Sequence, residues 1–241
     1  MFSRYCLSVG SSSYSTAIYN VPIDAARAIA PDDYFTVAEV LPGEAMFFVG
    51  TGEFRVADLG PYKEMYVGFY TENREGVSRP TQEDNFLEFT QNESKMYMWK
   101  NWVTTPAAMD KMDEVGSKVF RRGTIDRRDL ETHTTFAMQH ESEGSIDLSV
   151  PRESANVGSD FDMTRTHYGR LHGVPSRVLL DLKIEQMATS LGEGELTMQG
   201  AIADECAPLG IPKQPLVSIW IGEMNFKMTK PLLLENAEPS A

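Results

Sequence analysis

From Tyr34 to Val56 the chain reads YFTVAEVLPGEAMFFVGTGEFRV, with β-branched and aromatic residues alternating with polar or small ones on either side of an LPGE segment. A two-residue period puts successive side chains on opposite faces of an extended chain, so two strands are predicted here, joined tightly at Pro42 and Gly43. Similar runs predict strands at 65–71, 95–103, 132–140, 145–150, 177–188, 195–202 and 216–228. One short helix is predicted in VPIDAARAIAP, capped by Asp24, carrying Ala26, Ile29 and Ala30, and stopped by Pro31. The polar stretch from Glu72, ENREGVSRPTQEDNFLEFTQNES, reads as a loop or insertion of the kind that often covers a site. The Ser-rich first 17 residues read as a flexible arm and 236–241 as a tail, leaving 18–235 as one domain. Many strands with few short helices give a mainly β (α+β) fold, with antiparallel sheets in a barrel-like arrangement rather than an α/β nucleotide-binding fold.

Composition narrows the partners. The 241 residues, 41% of them hydrophobic, suffice for a substantial core. A formal charge of -13 and a pI near 4.8 repel nucleic acid and anionic lipid alike, so no nucleic-acid and no membrane partner is expected. No apolar run approaches the ~20 residues that span a bilayer, and MFSRYCLSVGSSSYST has no continuous apolar core of a secretory signal. Cys6 and Cys206 are the only cysteines and form no CxxC pair, which speaks against a zinc knuckle or disulfide scaffold and makes a reducing, cytoplasmic location the expectation.

Few side chains suggest chemistry by themselves. His133 and His140 lie seven apart on a predicted strand, hence on opposite faces, and His167 and His172 sit in a loop-like YGRLHG context, so no metal site is expected. There is no GxSxG elbow, and Gly192 and Gly194 lie between two predicted strands, where they mark a turn rather than a phosphate loop. Lys63, Lys111, Lys213 and Lys230 stand in charged, proline-flanked or terminal contexts. Lys118, in EVGSKVF, is followed by Val119 and Phe120. Apolar neighbours strip water from an ammonium, lower its pKa and leave more free amine to attack a carbonyl. The local residues alone favour the plainer alternative, a packed stem whose ammonium reaches water.

Three passages change that balance. YNVPIDAARAIAPDDYFTVAEVLPGEAMFFVGTGEFRVADLGPYKEMYVGF, TPAAMDKMDEVGSKVF and GEGELTMQGAIADECAPLGIPKQPLVSIWIGEMNFKM resemble segments of the acetoacetate decarboxylase superfamily. The matching features are a helix ending at proline, an LPG turn, an acidic-Leu-Gly-Pro-Tyr-x-Glu segment, a lysine after an acidic residue, and an AP-L-x-x-x-P turn. Together they span most of Tyr19 to Met228, with 72–95 and 150–175 poorly matched. The resemblance implies a homo-oligomeric lyase without cofactor or metal, in which a lysine forms an iminium with a β-keto acid. It also implies that a neighbouring cation or desolvation lowers that lysine's pKa. Lys118 then falls at the nucleophile, Glu64 at the acid-base residue, and Tyr62, Asn20, Glu114 and Arg121 at the substrate-binding positions. The chain departs from the pattern in two places. Ser117-Lys118-Val119 stands where decarboxylases carry Pro-Lys-Lys, leaving Arg121 or Arg122 to replace the second cation. Asn20 stands where they carry an arginine associated with the substrate carboxylate. The alternatives to a decarboxylase-like lyase are an aldolase-dehydratase or cyclase/isomerase acting on a larger carbonyl compound of secondary metabolism, and a binding protein without turnover.

Overall fold

Alternation along the central strands sorts their side chains into two apolar layers. The computed structural model describes residues 4–30, 34–72, 80–90, 95–115, 120–152, 156–158 and 161–234. In chain order the strands are β1 (Tyr5–Pro22), β2 (Glu44–Ala57), β3 (Tyr62–Tyr70), β4 (Lys95–Val103), β5 (Phe120–Arg122), β6 (Thr124–Asp129), β7 (His133–His140), β8 (Gly144–Pro151), β9 (Asn156–Gly158), β10 (Phe161–Leu171), β11 (Val174–Leu191), β12 (Glu195–Gln199), β13 (Val217–Thr229) and β14 (Leu232–Leu233). The helices are α1 (Ile23–Ile29), α2 (Gln82–Thr90), α3 (Pro106–Glu114) and α4 (Ala201–Cys206).

The large sheet runs β10-β11-β13-β1-β2-β3-β4, and a parallel pairing of β10 with β4 closes it into a ring. One layer fills the lumen, with Tyr14, Phe48, Phe54, Tyr66, Leu180, Met224 and Phe226 among its buried residues. The other, including Tyr19, Phe47, Val67, Phe69 and Trp102, packs against Phe136, Met138, Ile146 and Leu148 of the four-stranded sheet β12-β8-β7-β6. Coverage on both sides explains why β3, YKEMYVGFY, is buried along nearly its whole length. Gly50 is required where β2 passes under two rings: a Cβ there would collide with the Tyr66 ring and the Tyr14 hydroxyl.

β4 carries the irregularity that matters most. Its ladder with β3 shifts register between the pairs Val67–Lys100 and Gly68–Met98. Such a bulge reverses which side chains face inward. Met96 and Met98 face the lumen before it, and Asn101 and Val103 after it, while Lys100 and Trp102 turn toward the second sheet. The other edge of β4 is divided: Lys95, Met96 and Tyr97 pair with β10, whereas Asn101, Trp102 and Val103 pair with β5.

Several expectations change. The stretch expected as a flexible arm becomes β1, hydrogen-bonded to β2 on one side and β13 on the other. Its serines fit because they are small and their hydroxyls find partners within the sheet or on the sheet packed against it. Ser12 donates to the Met224 carbonyl at 2.8 Å, Ser13 accepts from Arg127, and both are almost fully buried. The first of the two strands predicted around Pro42 does not form; 34–43 contribute only isolated bridges, Val37 to Thr71 and Leu41 to Glu44. Within the expected loop from Glu72, residues 82–90 form α2. Asp24 lies in the first turn of α1 rather than capping it; Pro22 holds the cap position. The strand predicted at 195–202 ends at Gln199 and gives way to α4. His167 belongs to β10, whereas His172 occupies the following turn with φ 53°.

Candidate active site

Inside the ring, side chains from β1, β2, β3, β4, β10, β11 and β13 and from α3 enclose a cavity of about 70 Å³, or roughly five water-sized positions. Most of its wall is apolar and pliable, with four methionines, Met98, Met112, Met224 and Met228, beside Phe54, Val178, Leu180, Leu182 and Phe226. The polar side chains at the wall are Glu64, Tyr14, Tyr62, Tyr66, Arg165, His167, Tyr168 and Ser176.

Glu64 projects from β3 between Tyr62 and Tyr66. Thr51 on β2 holds its backbone by donating to the Glu64 carbonyl at 2.8 Å. Asn101, turned inward by the β4 bulge, donates Nδ2–H to Glu64 Oε1 at 2.7 Å and also reaches Met98 Sδ at 3.3 Å. Burial pushes the Glu64 carboxyl up to about 7, against the opposing pull of the Asn101 hydrogen bond. A carboxyl near 7 gives and takes a proton with similar ease at neutral pH.

Two tyrosines share its surroundings. Tyr62 stacks on Phe54 with centroids 4.4 Å apart and has a buried hydroxyl without a partner among the described residues; burial, and secondarily the Glu64 charge, raise its pKa well above the usual phenol range. Burial likewise pushes Tyr14 up to about 12, with Glu64 adding to the rise and Arg165 opposing it. Arg165 and His167 alternate inward on β10 opposite Leu180 and Val178 of β11. Burial, then the Arg165 charge, lowers His167 to about 3, so its imidazole is neutral at any working pH.

Of the residues singled out from sequence, Glu64 and Tyr62 meet in this cavity. Lys118 lies outside the described residues. Of its described flanks, Val115 lines the cavity, and Phe120 pairs through the backbone with Asn101 on β4. Among the described residues no lysine lines the wall. Asn20 donates to Glu44 at 2.8 Å near the end of β1 and does not reach the cavity. Glu114 is exposed on α3 and pairs with Lys111 at 2.7 Å. Arg121 pairs with Glu143 at 2.7 Å on the side of β4 that carries Trp102, outside the lumen. Sequence reasoning missed Arg165, His167, Tyr14 and Asn101. The alternation MTRTHY on β10 was the available signal for the first two; nothing in the sequence announces the bulge that aims Asn101.

No protein-family model matches the sequence, and no curated protein matches it significantly. Solved structures do match the architecture. Acetoacetate decarboxylase from Legionella pneumophila superposes with a TM-score of 0.63 at 11% identity, covering 97% of this chain and 90% of its own. The enduracididine biosynthesis enzyme MppR in complex with pyruvate gives 0.64 at 15%, over 98% and 93%. An acetoacetate decarboxylase-like enzyme from Sphingomonas wittichii gives 0.56 at 12%, over 97% and 94%. The chain therefore has the acetoacetate decarboxylase-like fold, as its sequence resemblance led one to expect. These structural neighbours are enzymes.

Proposed function

We propose that this protein is a lysine-dependent carbon-carbon lyase acting on a β-keto acid or related carbonyl compound, with Lys118 as nucleophile and Glu64 as acid-base residue. The observation that carries this reading is Glu64, a buried carboxyl with a pKa near 7 facing a small, mostly apolar cavity whose wall includes Val115, close in sequence to Lys118. The Lys118 amine adds to the carbonyl carbon and water leaves, forming the iminium. The bond from the α-carbon to the carboxylate breaks, its electron pair moves to the iminium nitrogen as an enamine, and carbon dioxide departs. Glu64 in its acid form protonates the enamine carbon, and water hydrolyses the new iminium to release product and free lysine. The apolar wall favours the neutral amine and the departure of charge from the carboxylate.

A second reading uses the same enamine to form a bond, attacking an aldehyde and then losing water. Glu64 favours it, because near pH 7 one carboxyl can take a proton in one step and return it in the next. One of the MppR structures holds the condensation product of pyruvate and imidazole 4-carboxaldehyde. The test is turnover of acetoacetate alone, and of pyruvate with aldehydes, by wild type, Lys118→Ala, Lys118→Arg and Glu64→Gln. Loss in both lysine variants supports the covalent route. Substantial activity in Lys118→Arg points instead to acid-base isomerisation or cyclisation without an adduct, and tight binding without turnover points to a binding protein.

A further inference from the structure

Arg165 is the unexplained group in the lumen. It starts on β10 and its guanidinium carbon lies 5.9 Å from the Tyr14 ring centroid on β1. Those strands are separated by β11 and β13 one way round the ring and by β4, β3 and β2 the other, so the side chain crosses the lumen. Among the described residues its Nε is buried without a hydrogen-bond partner and no carboxylate pairs with it. The side chain as a whole is half-buried and reaches Tyr14, and a bound anion would supply the counter-charge that no described carboxylate gives it. His167, two residues along the same strand, faces the same space.

The geometry points to Arg165, with His167 and Tyr14 beside it, as the subsite for the carboxylate of a short oxo acid. The guanidinium fork matches a planar carboxylate, the neutral imidazole has one N–H to offer, and the cavity suits a molecule of a few carbons. Arg165 and His167 belong to β10 and Glu64 to β3, two strands kept apart by β4, so the cation and the carboxyl reach the cavity from different parts of its wall. The substrate is thereby given a direction, its anionic end toward β10 and its reacting carbon toward Glu64. This assignment rests on the cavity being the substrate site, but it places anion recognition on β10, remote from Asn20.

The test separates binding from chemistry. Pyruvate and its neutral methyl ester are titrated calorimetrically into Lys118→Ala protein, in which no imine forms at that residue, and into the same protein carrying Arg165→Gln or Arg165→Lys. Arg165→Gln is expected to weaken pyruvate about 10- to 100-fold while methyl pyruvate changes by less than about twofold; Arg165→Lys, which keeps the charge and loses the fork, falls between. Thermal melts supply a second reading: pyruvate raises the melting temperature of the parent and not that of Arg165→Gln. Failure of the parent to bind pyruvate, or binding within twofold in the Arg165→Gln protein, overturns the subsite. Since the parent already lacks Lys118, loss of the lysine mechanism leaves this result intact.

Discussion

The lumen of the ring and the layer between the two sheets both bury ionisable side chains, and they treat them in opposite ways. Between the sheets, Lys100 meets Glu205 at 2.7 Å and Glu143 at 3.5 Å, Arg121 meets Glu143 at 2.7 Å, and Trp102 donates to the same carboxylate at 2.9 Å. Each charge there has a partner of opposite sign, the condition under which buried ions are tolerated. In the lumen, among the described residues, Glu64 has one amide donor and Arg165 no counter-ion. A single bulge in β4 separates the two environments, sending Lys100 one way and Asn101 the other. Uncompensated polar groups are costly to a fold. Their concentration around one cavity is the pattern expected of a binding or proton-transfer site.

The contrast can be broken by substitution. The largest effect is expected at Glu64→Gln, which should lower kcat/KM by roughly 10²- to 10⁴-fold and remove the limb of the pH-rate profile near 7. The same group governs stability. Its folded pKa, about 7, lies above the ordinary 4.5, so the stability it lends is full below pH 4.5 and is lost as pH rises through 7. Wild type should therefore lose about 3 kcal/mol relative to Glu64→Gln across that window, measured by denaturant unfolding at pH 5 and pH 8. Lys100→Met tests the other region: leaving Glu143 and Glu205 short of a partner should cost about 3 kcal/mol in the same unfolding experiment with little change in KM. Gly50→Ala pushes on Tyr66 and Tyr14 from behind and should cost about 1–3 kcal/mol, with weaker ligand binding because both rings line the cavity. The smallest effect belongs to Glu114→Ala. Its exposed pair with Lys111 should be worth under about 1 kcal/mol, and steady-state kinetics should be unchanged; a large rise in KM would restore Glu114 to the substrate-binding set.

Legibility from sequence followed the same division. Strands whose two faces both meet apolar layers, such as β3 and β4, were readable near their true bounds because period and composition agree. β1 was not, since buried hydroxyls on Ser12, Ser13 and Ser15 resemble the composition of a loose arm. β10 was missed for a more instructive reason: its inward positions carry Arg165 and His167, which face a cavity rather than an apolar core, so these polar residues themselves broke the hydrophobic pattern. The start of α3 was available in Thr105-Pro106, a capping side chain followed by proline at the first helical position. Glu64 was found through a resemblance, and its pKa depends on burial in a lumen walled by residues as distant in sequence as Leu180, Met224 and Phe226, which no local window contains.

The most direct test of the central claim is intact-mass measurement after incubation with acetoacetate, pyruvate or larger carbonyl compounds and borohydride, comparing wild type with Lys118→Ala. The proposed mechanism predicts a reduced adduct of one substrate-derived fragment in wild type, absent from the variant and mapped to Lys118 by peptide analysis. A processed substrate with no adduct, or an adduct of equal yield in Lys118→Ala, would contradict it.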